Sequence, residues 1–387
     1  MNRVAAAPPK ASFAGRAVTV LSAVGRMDGV MLVAVAALSV IGALLVWSST
    51  RTWASGSTGL VKKHILNLAI GAVLAGVAAT VNYRTLRAYA PLAYGLTLVG
   101  LFLVITPLGE TVNGAHSWIM LGGGFAFQPS EFAKLGLVLM LAMLLARPAK
   151  GTDRPRAPDV GIALVIAAFT MGLVMLQPDL GTTMVIGVIT VGALVVAGVR
   201  KRWIAALFLA VIGGAVAVWF MDVLEPYQIA RFTAFLNPAS DPRGAGYNST
   251  QALIAVGSGQ VFGKGLFEGG QTTGRFVPEQ HTDFIFTVVG EEFGFLGSVT
   301  VVALLGTILV RGTRIARECD DRFGTLAAGT IVCWLAFQAF INIGMTVGIM
   351  PITGLPLPFV SYGGTATFAN MIAIGLLQAI HMREKRF

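Results

Sequence analysis

An all-α polytopic membrane protein of about ten transmembrane helices, with both termini cytoplasmic, is the fold class that three observations predict. Of the 387 residues, 55% are hydrophobic and only 12% are charged, which is too apolar for a soluble globule. The apolar runs repeatedly reach the ~20 residues that a helix needs to cross a bilayer. Most of the 28 Lys and Arg fall in alternate connections, as they would if those connections shared the cytoplasmic face.

Taken in order, residues 1–28 form a cytoplasmic N-terminal segment carrying Arg3, Lys10, Arg16 and Arg26. The segment lacks a signal-peptide apolar core, so the first span, 29–48, reads as an uncleaved anchor. Residues 13–26 have the pattern of a short interfacial helix. Spans 62–81 and 86–106 flank a short inside connection at Arg84 and Arg87. The fourth span, 131–146, exits into the Pro- and charge-rich stretch 147–159, whose composition predicts an unstructured loop. Spans 160–176 and 180–198 follow, then the basic run Arg200, Lys201 and Arg202, then span 204–221. A large extracytoplasmic loop, 222–283, leads to span 284–310. The next connection is cytoplasmic and carries Arg311, Arg314, Arg317 and Arg322. Spans 324–346 and 359–380 complete a membrane domain of 29–382, ahead of a basic tail at 383–387.

Outside, the cations number only seven: Arg51, Lys62, Lys63, Arg231, Arg243, Lys264 and Arg275, while Lys134 alone lies within a span. The net charge of +10 is therefore a topology signal facing anionic lipid heads. No basic and aromatic interleaving points to nucleic acid. Cys319 and Cys333 have no metal-motif spacing and lie in segments that do not meet, and the four His are scattered.

Two external segments carry their own texture. Residues 107–130 contain Trp118, which suits either an interfacial anchor or a cleft wall. Within the large loop, 231–238 reads as an amphipathic helix stopped by proline, and 250–256 as a second helical piece. The glycine-rich 257–265 reads as a flexible passage, with a phosphate cradle of backbone amides as the alternative.

Charge at membrane depth is costly, which makes the acids and the buried-depth lysine the candidate site residues. Asp283 sits at the mouth of an apolar helix, where it suits a helix N-cap as well as catalysis. Glu131 and Lys134 lie three apart on one helix face and can pair with each other or with a ligand. Asp179 also suits a cap. Glu291 and Glu292 lie about two turns below Asp283, and at least one of them should face the bundle interior. Together with Arg231, Lys264 and His281, these residues describe a polar external cleft suited to an amphiphile with an anionic head. Pro351–Phe359 and Ser361–Gly364 read as a rigid, then small-residue, entry to the last span.

Seven segments carry a specific resemblance: NGAHSWI (113–119), QPSEFAKL (128–135), QPDLGT (177–182), RFTAFLNPASDPRGAGY (231–247), GKGLFEGGQ (263–271), PEQHTDFIFTVVGEEFG (278–294) and GLPLPFVSYGG (354–364). From about residue 29 to 382 the chain resembles the SEDS family (shape, elongation, division and sporulation) of bacterial cell-wall proteins. HTDFIF and SYGG are shared with the division branch, whereas GKGLFEGGQ and PITGLPLPFVSYGG look more like the rod-shape branch. Thr365 and Ala366 stand where the family often has serine.

The resemblance implies a multi-pass glycosyltransferase of the bacterial cytoplasmic (inner) membrane. It would polymerise lipid II into peptidoglycan on the outer face for cell elongation, releasing undecaprenyl pyrophosphate. Its implied partners are a class B penicillin-binding protein that crosslinks the strands and the elongation machinery. The family's essential aspartate falls on Asp283 and its tryptophan on Trp118. Glu131, Lys134 and Arg231 match charged positions of its central cavity. Lys264 and His281 join the substrate-binding candidates; Asp179, Glu291, Glu292, Ser361, Gly363 and Gly364 shape the cavity.

The chemistry agrees with that implication. An acceptor hydroxyl needs a base, here Asp283, and a departing pyrophosphate needs positive charge from Lys134, Arg231 or a divalent cation such as Mg2+ or Mn2+. The rival readings are a lipid II flippase, the division paralogue and a non-catalytic scaffold. A flippase would want polar groups along its whole transit path, whereas most intramembrane charge here lies in the outer half.

Overall fold

The computed structural model describes residues 25–52, 58–112, 115–120, 122, 126–149, 151–220, 229, 233–237 and 244–384. Arg231, Arg243 and the expected interfacial helix at 13–26 lie outside or almost wholly outside this set. The architecture is mostly helical. In chain order it comprises α1 (Gly29–Thr50), α2 (Gly59–Thr80), α3 (Tyr83–Ile105), a small sheet, α4 (Pro129–Leu145), α5 (Ala157–Met175), α6 (Leu180–Val196) and α7 (Lys201–Phe220). There follow α8 (Ala245–Ser258), the short α9 (Gly270–Gly274), α10 (Ile285–Glu318), α11 (Arg322–Thr346) and α12 (Gly364–Glu384).

Seven of the described helices, α1, α2, α3, α5, α10, α11 and α12, are long and apolar enough to cross a membrane. The other three expected spans coincide with α4, α6 and α7. Helix starts follow local chemistry. Asp28, Asn82 and Asp321 accept hydrogen bonds from first-turn amides of α1, α3 and α11. Proline occupies the first turn of α4 and α5, where its missing N–H costs nothing.

Two features depart from the sequence expectations. Residues 110–127 are not all irregular: β1 (Glu110–Val112), β2 (Ala115–Met120) and β3 (Ala126–Phe127) form an antiparallel sheet in the order β1-β2-β3, so the fold is not purely α. The connection 147–159 is not structureless either, because Pro148 bridges Pro155 and Ala149 N donates to Arg154 O at 2.8 Å.

Small residues let the helices approach closely. A Cβ on Gly375 of α12 would collide with the backbone of Ala75 on α2, and one on Gly192 of α6 would stand 2.7 Å from Cys333 Cβ on α11. The centre of the bundle is α4, α11 and α12, which are buried along most of their lengths, whereas α2 and α3 expose broad apolar faces. The central position of α4 and α11 is what brings the polar residues described next out of reach of water.

Candidate active site

α11 carries a polar stripe inside an apolar helix. Thr330, Trp334, Gln338, Asn342 and Thr346 recur every fourth residue, the spacing that stacks side chains on one helix face, and all are fully buried. Facing this stripe is the first turn of α4, where the Lys134 ammonium lies 2.8 Å and 2.7 Å from the two carboxylate oxygens of Glu131. Lys134 is 0% exposed and Glu131 2%. The ammonium also donates to Gln338 Oε1 at 3.4 Å and stands 5.0 Å from the centre of the Trp334 ring. Trp334 Nε1 donates to the same Gln338 oxygen at 2.8 Å, and Gln338 Nε2 donates to Pro356 O at 2.9 Å. The buried Lys134 side chain is thus paired with a carboxylate, hydrogen-bonded to an amide and covered by an aromatic face, as a buried polar group must be.

One turn further along α11, Asn342 Nδ2 donates to both Asp283 O and Leu355 O at 2.7 Å. Asn342 therefore pins the backbone of Asp283 to the Pro351–Tyr362 segment. The Asp283 amide donates to Glu279 O at 3.0 Å, and Tyr362 N donates to His281 O at 2.9 Å. Asp283 itself is half-buried. α10 begins at Ile285 with Phe284 at its N-cap position, so Asp283 lies two residues ahead of the helix. Asp179 is a cap, accepting from Thr182 N at 2.9 Å, and it also accepts from Gln128 Nε2 at 3.2 Å, which ties the start of α6 to the start of α4.

His281 is buried with its ring centre 5.6 Å from that of Tyr362. Burial pushes its imidazole below the ordinary histidine range, partly offset by the Glu279 carboxylate. Ser361 accepts from Leu357 N at 2.8 Å and so holds the turn before α12. Gly363 and Gly364 do not need to be glycine for space, since a Cβ at either would meet only ordinary van der Waals neighbours. Trp118 is half-buried in β2, opposite Glu110, on a strand that packs against α3 and α4.

Glu291 and Glu292 form a second cluster, and both face inward. Glu291 accepts from Gln271 N at 2.8 Å, Thr272 N at 2.9 Å, Thr272 Oγ1 at 2.7 Å and the Lys264 ammonium at 3.3 Å. Glu292 accepts from Ser48 Oγ on α1 and from the Phe267 backbone. Two residues after Glu292 the helix breaks at Gly294, whose φ of 66° and ψ of −158° suit glycine. Into that break docks the glycine-rich passage: Lys264 N and Gly265 N donate to Glu291 O and Glu292 O at 2.9 Å and 3.0 Å. The expected flexible passage is instead a close-packed strap, with a Cβ on Gly259 or Gly263 colliding with the α10 backbone. Amides at Lys264 and Gly265 already bond to these carbonyls, so the phosphate-cradle alternative loses its donors.

The cluster on α4 and α11 and the strap on α10 are thus separate groupings, and Asp283, just ahead of α10, is bonded to the first through Asn342. Gln338, Asn342 and Trp334 were not among the residues singled out from sequence; the signal for them was polar residues at every fourth position of an otherwise apolar span. Among the described residues no group of three or more His, Cys, Asp or Glu could hold a metal ion.

The comparisons with known proteins bear on the whole chain. The family model FTSW_RODA_SPOVE, described as "Cell cycle protein", matches residues 29–386. The chain is 37% identical over 361 residues to the peptidoglycan glycosyltransferase MrdB of Escherichia coli K12, covering 93% of this chain and 95% of that protein. It is also 37% identical over 348 residues to the stage V sporulation protein E of Bacillus subtilis, covering 88% and 93%. Among solved structures it superposes with a TM-score of 0.78 and 30% identity on a chain of a peptidoglycan synthase complex, described as coordinating polymerization and crosslinking, over 93% of this chain and 99% of that one. It superposes with a TM-score of 0.68 and 29% identity on the rod shape determining protein RodA of Thermus thermophilus, over 93% and 98%.

Proposed function

The chain belongs to the FtsW, RodA and SpoVE family, and from that premise we propose that it is a peptidoglycan glycosyltransferase that polymerises lipid II with Asp283 as its base. The rod-shape branch supplies the reading of cell elongation. In this reading ten helices span the bacterial cytoplasmic membrane, the three shorter or partly described ones being α4, α6 and α7, with the loop 222–283 outside.

In the reaction, an oxygen of the acceptor sugar attacks the anomeric carbon of the donor while the bond from that carbon to the pyrophosphate breaks. The Asp283 carboxylate takes the hydroxyl proton, and undecaprenyl pyrophosphate departs with the bonding pair. One carboxylate suffices for direct displacement with inversion. The outer cations Arg231 and Lys264 are proposed to meet the pyrophosphate, and Trp118 and His281 to border the substrate. Lys134 has no exposed surface, so it would act on the site through its charge unless the Pro351–Tyr362 segment moved.

The observation that carries the proposal is the placement of Asp283. It is half-buried at the mouth of α10 and its backbone is fixed by Asn342 to the same helix that receives the Lys134 ammonium. A class B penicillin-binding protein is the proposed partner, in line with the synthase complex that the chain resembles. Purified protein, alone and with such a partner, should convert lipid II into long glycan strands in detergent, where no membrane remains to be crossed. Translocation of lipid II in vesicles without any polymer formed would favour the flippase.

A further inference from the structure

We propose that a cavity on the cytoplasmic side, between the α4–α5 connection and the start of α7, binds the headgroup of an anionic phospholipid of the inner leaflet. The cavity has a volume of about 330 Å³ and is lined by Arg154, Arg200, Arg202, Trp203, Val160 and Val199, among others. Its inference rests on the orientation proposed above and is independent of the polymerase chemistry.

Arginines on this face are expected from the positive-inside rule, and four of them are engaged elsewhere. Arg311 pairs with Asp28 at 2.6 Å, Arg314 with Glu318 at 2.5 Å and Arg322 with Asp153 at 4.0 Å, while Arg383 donates to Thr80 O at 3.0 Å. Among the described residues, Arg154, Arg200 and Arg202 take part in no ion pair, and all three are exposed. Three uncompensated guanidinium groups around one cavity match a phosphodiester, which each can grip through two parallel N–H groups. The helices add to the field. α5 begins at Ala157, with Asp159 in its first turn, and α7 begins at Lys201, so the start of α7 presents the less compensated positive end here. The position of Arg154 is fixed by the Pro148–Pro155 bridge, and Arg322 donates to Asp153 O to anchor the turn on α11.

A soluble phosphate would use the arginines and nothing else. The cavity, however, has an apolar floor of buried Val160 and Val199 with half-buried Trp203, a residue suited to headgroup depth. Directly along the same two helices, Ile162 and Val165 of α5 and Phe208 and Leu209 of α7 are exposed. Acyl chains from a lipid seated in the cavity would lie on these side chains, which is why the membrane is the favoured source.

Native mass spectrometry of the full-length protein in detergent, titrated with phosphatidylglycerol, cardiolipin and phosphatidylethanolamine, tests the assignment. The anionic lipids should be retained about tenfold better than phosphatidylethanolamine. Arg202→Gln should weaken that retention about fivefold, which is about 1 kcal/mol for one surface arginine, and Arg154→Gln with Arg200→Gln and Arg202→Gln should weaken it further. Arg314→Gln should leave it unchanged. Equal retention of all three lipids, equal retention by the variants at an unchanged thermal midpoint, or displacement of the lipid by soluble glycerol phosphate at matched concentration would overturn the proposal. So would labelling of Asp153→Cys from outside intact cells.

Discussion

Two buried charged clusters lie near the starts of α4 and α10, and they are built on opposite plans. In the strap cluster, Glu291 and Glu292 accept hydrogen bonds from the chain around them: amides at Gln271, Thr272 and Phe267, hydroxyls of Thr272 and Ser48, and the ammonium of Lys264, which is 38% exposed. In the central cluster, a Lys134 with no exposure pairs one-to-one with Glu131, and amide side chains on α11 carry the connection to Pro356 and to the backbone of Asp283. An acid at membrane depth is therefore not by itself a sign of catalysis. What it bonds to decides its place: Glu291 and Glu292 hold a loop on a broken helix, whereas Glu131 and Lys134 pair with each other and, through Gln338, join the helix whose Asn342 holds the backbone of Asp283.

The sharpest way to break this contrast is to remove one partner of the central pair. Lys134→Met leaves Glu131 buried and uncompensated, at a cost of about 3 to 5 kcal/mol, read as a large fall in the thermal midpoint of the purified protein. Adding Glu131→Gln should restore most of that stability, because the two residues share one interaction. Polymerisation by the double variant should nevertheless stay at least about tenfold low, a loss of more than about 1.4 kcal/mol of transition-state stabilisation. Full recovery of glycan synthesis would make both residues structural, like Glu291.

The strap should respond in the other sense. Glu291→Ala strands buried amides at Gln271 and Thr272, at about 3 kcal/mol. The loop from 259 to 280 should become sensitive to protease, while the cost adds to that of Lys134→Met without coupling, since the clusters share no partner. Strong coupling between them would mean that one network, and not two, supports the site.

The smallest effect is expected from pH. Burial holds His281 below its ordinary value despite Glu279. The unfolded chain takes up that proton near pH 6.5, while the folded loop resists it, so the unfolded state binds more protons in the interval between. Stability of the segment bearing Asp283 is thus intact above about pH 6.5 and declines as pH falls towards the lower folded value. Thermal midpoints measured across pH 5 to 7 should show this acid limb, and His281→Gln should flatten it.

Much of the architecture was legible in the sequence because apolar length and Lys/Arg placement act locally. Helix positions, the inward-facing acids and the Glu131–Lys134 pairing all follow from spacing along one element. What was not legible depends on contacts between distant segments. The glycines at 259 and 263 read as flexible until Gly290 and Glu292 are seen against them. Gln338 and Asn342 are ordinary polar residues until α4 and the Pro351–Tyr362 segment are placed opposite. The sheet at 110–127 escaped notice because its strands are only two to six residues long.

The central claim is that the carboxylate of Asp283 accepts the acceptor's proton while the surrounding hydrogen bonds merely position it. Asp283→Asn keeps the shape, and its backbone carbonyl remains available to Asn342, but an amide cannot take up that proton. Lipid II polymerisation by this variant, measured beside its thermal midpoint, should show an unchanged midpoint and no glycan strands. An unchanged midpoint with glycan synthesis near that of the unmodified protein would contradict the account.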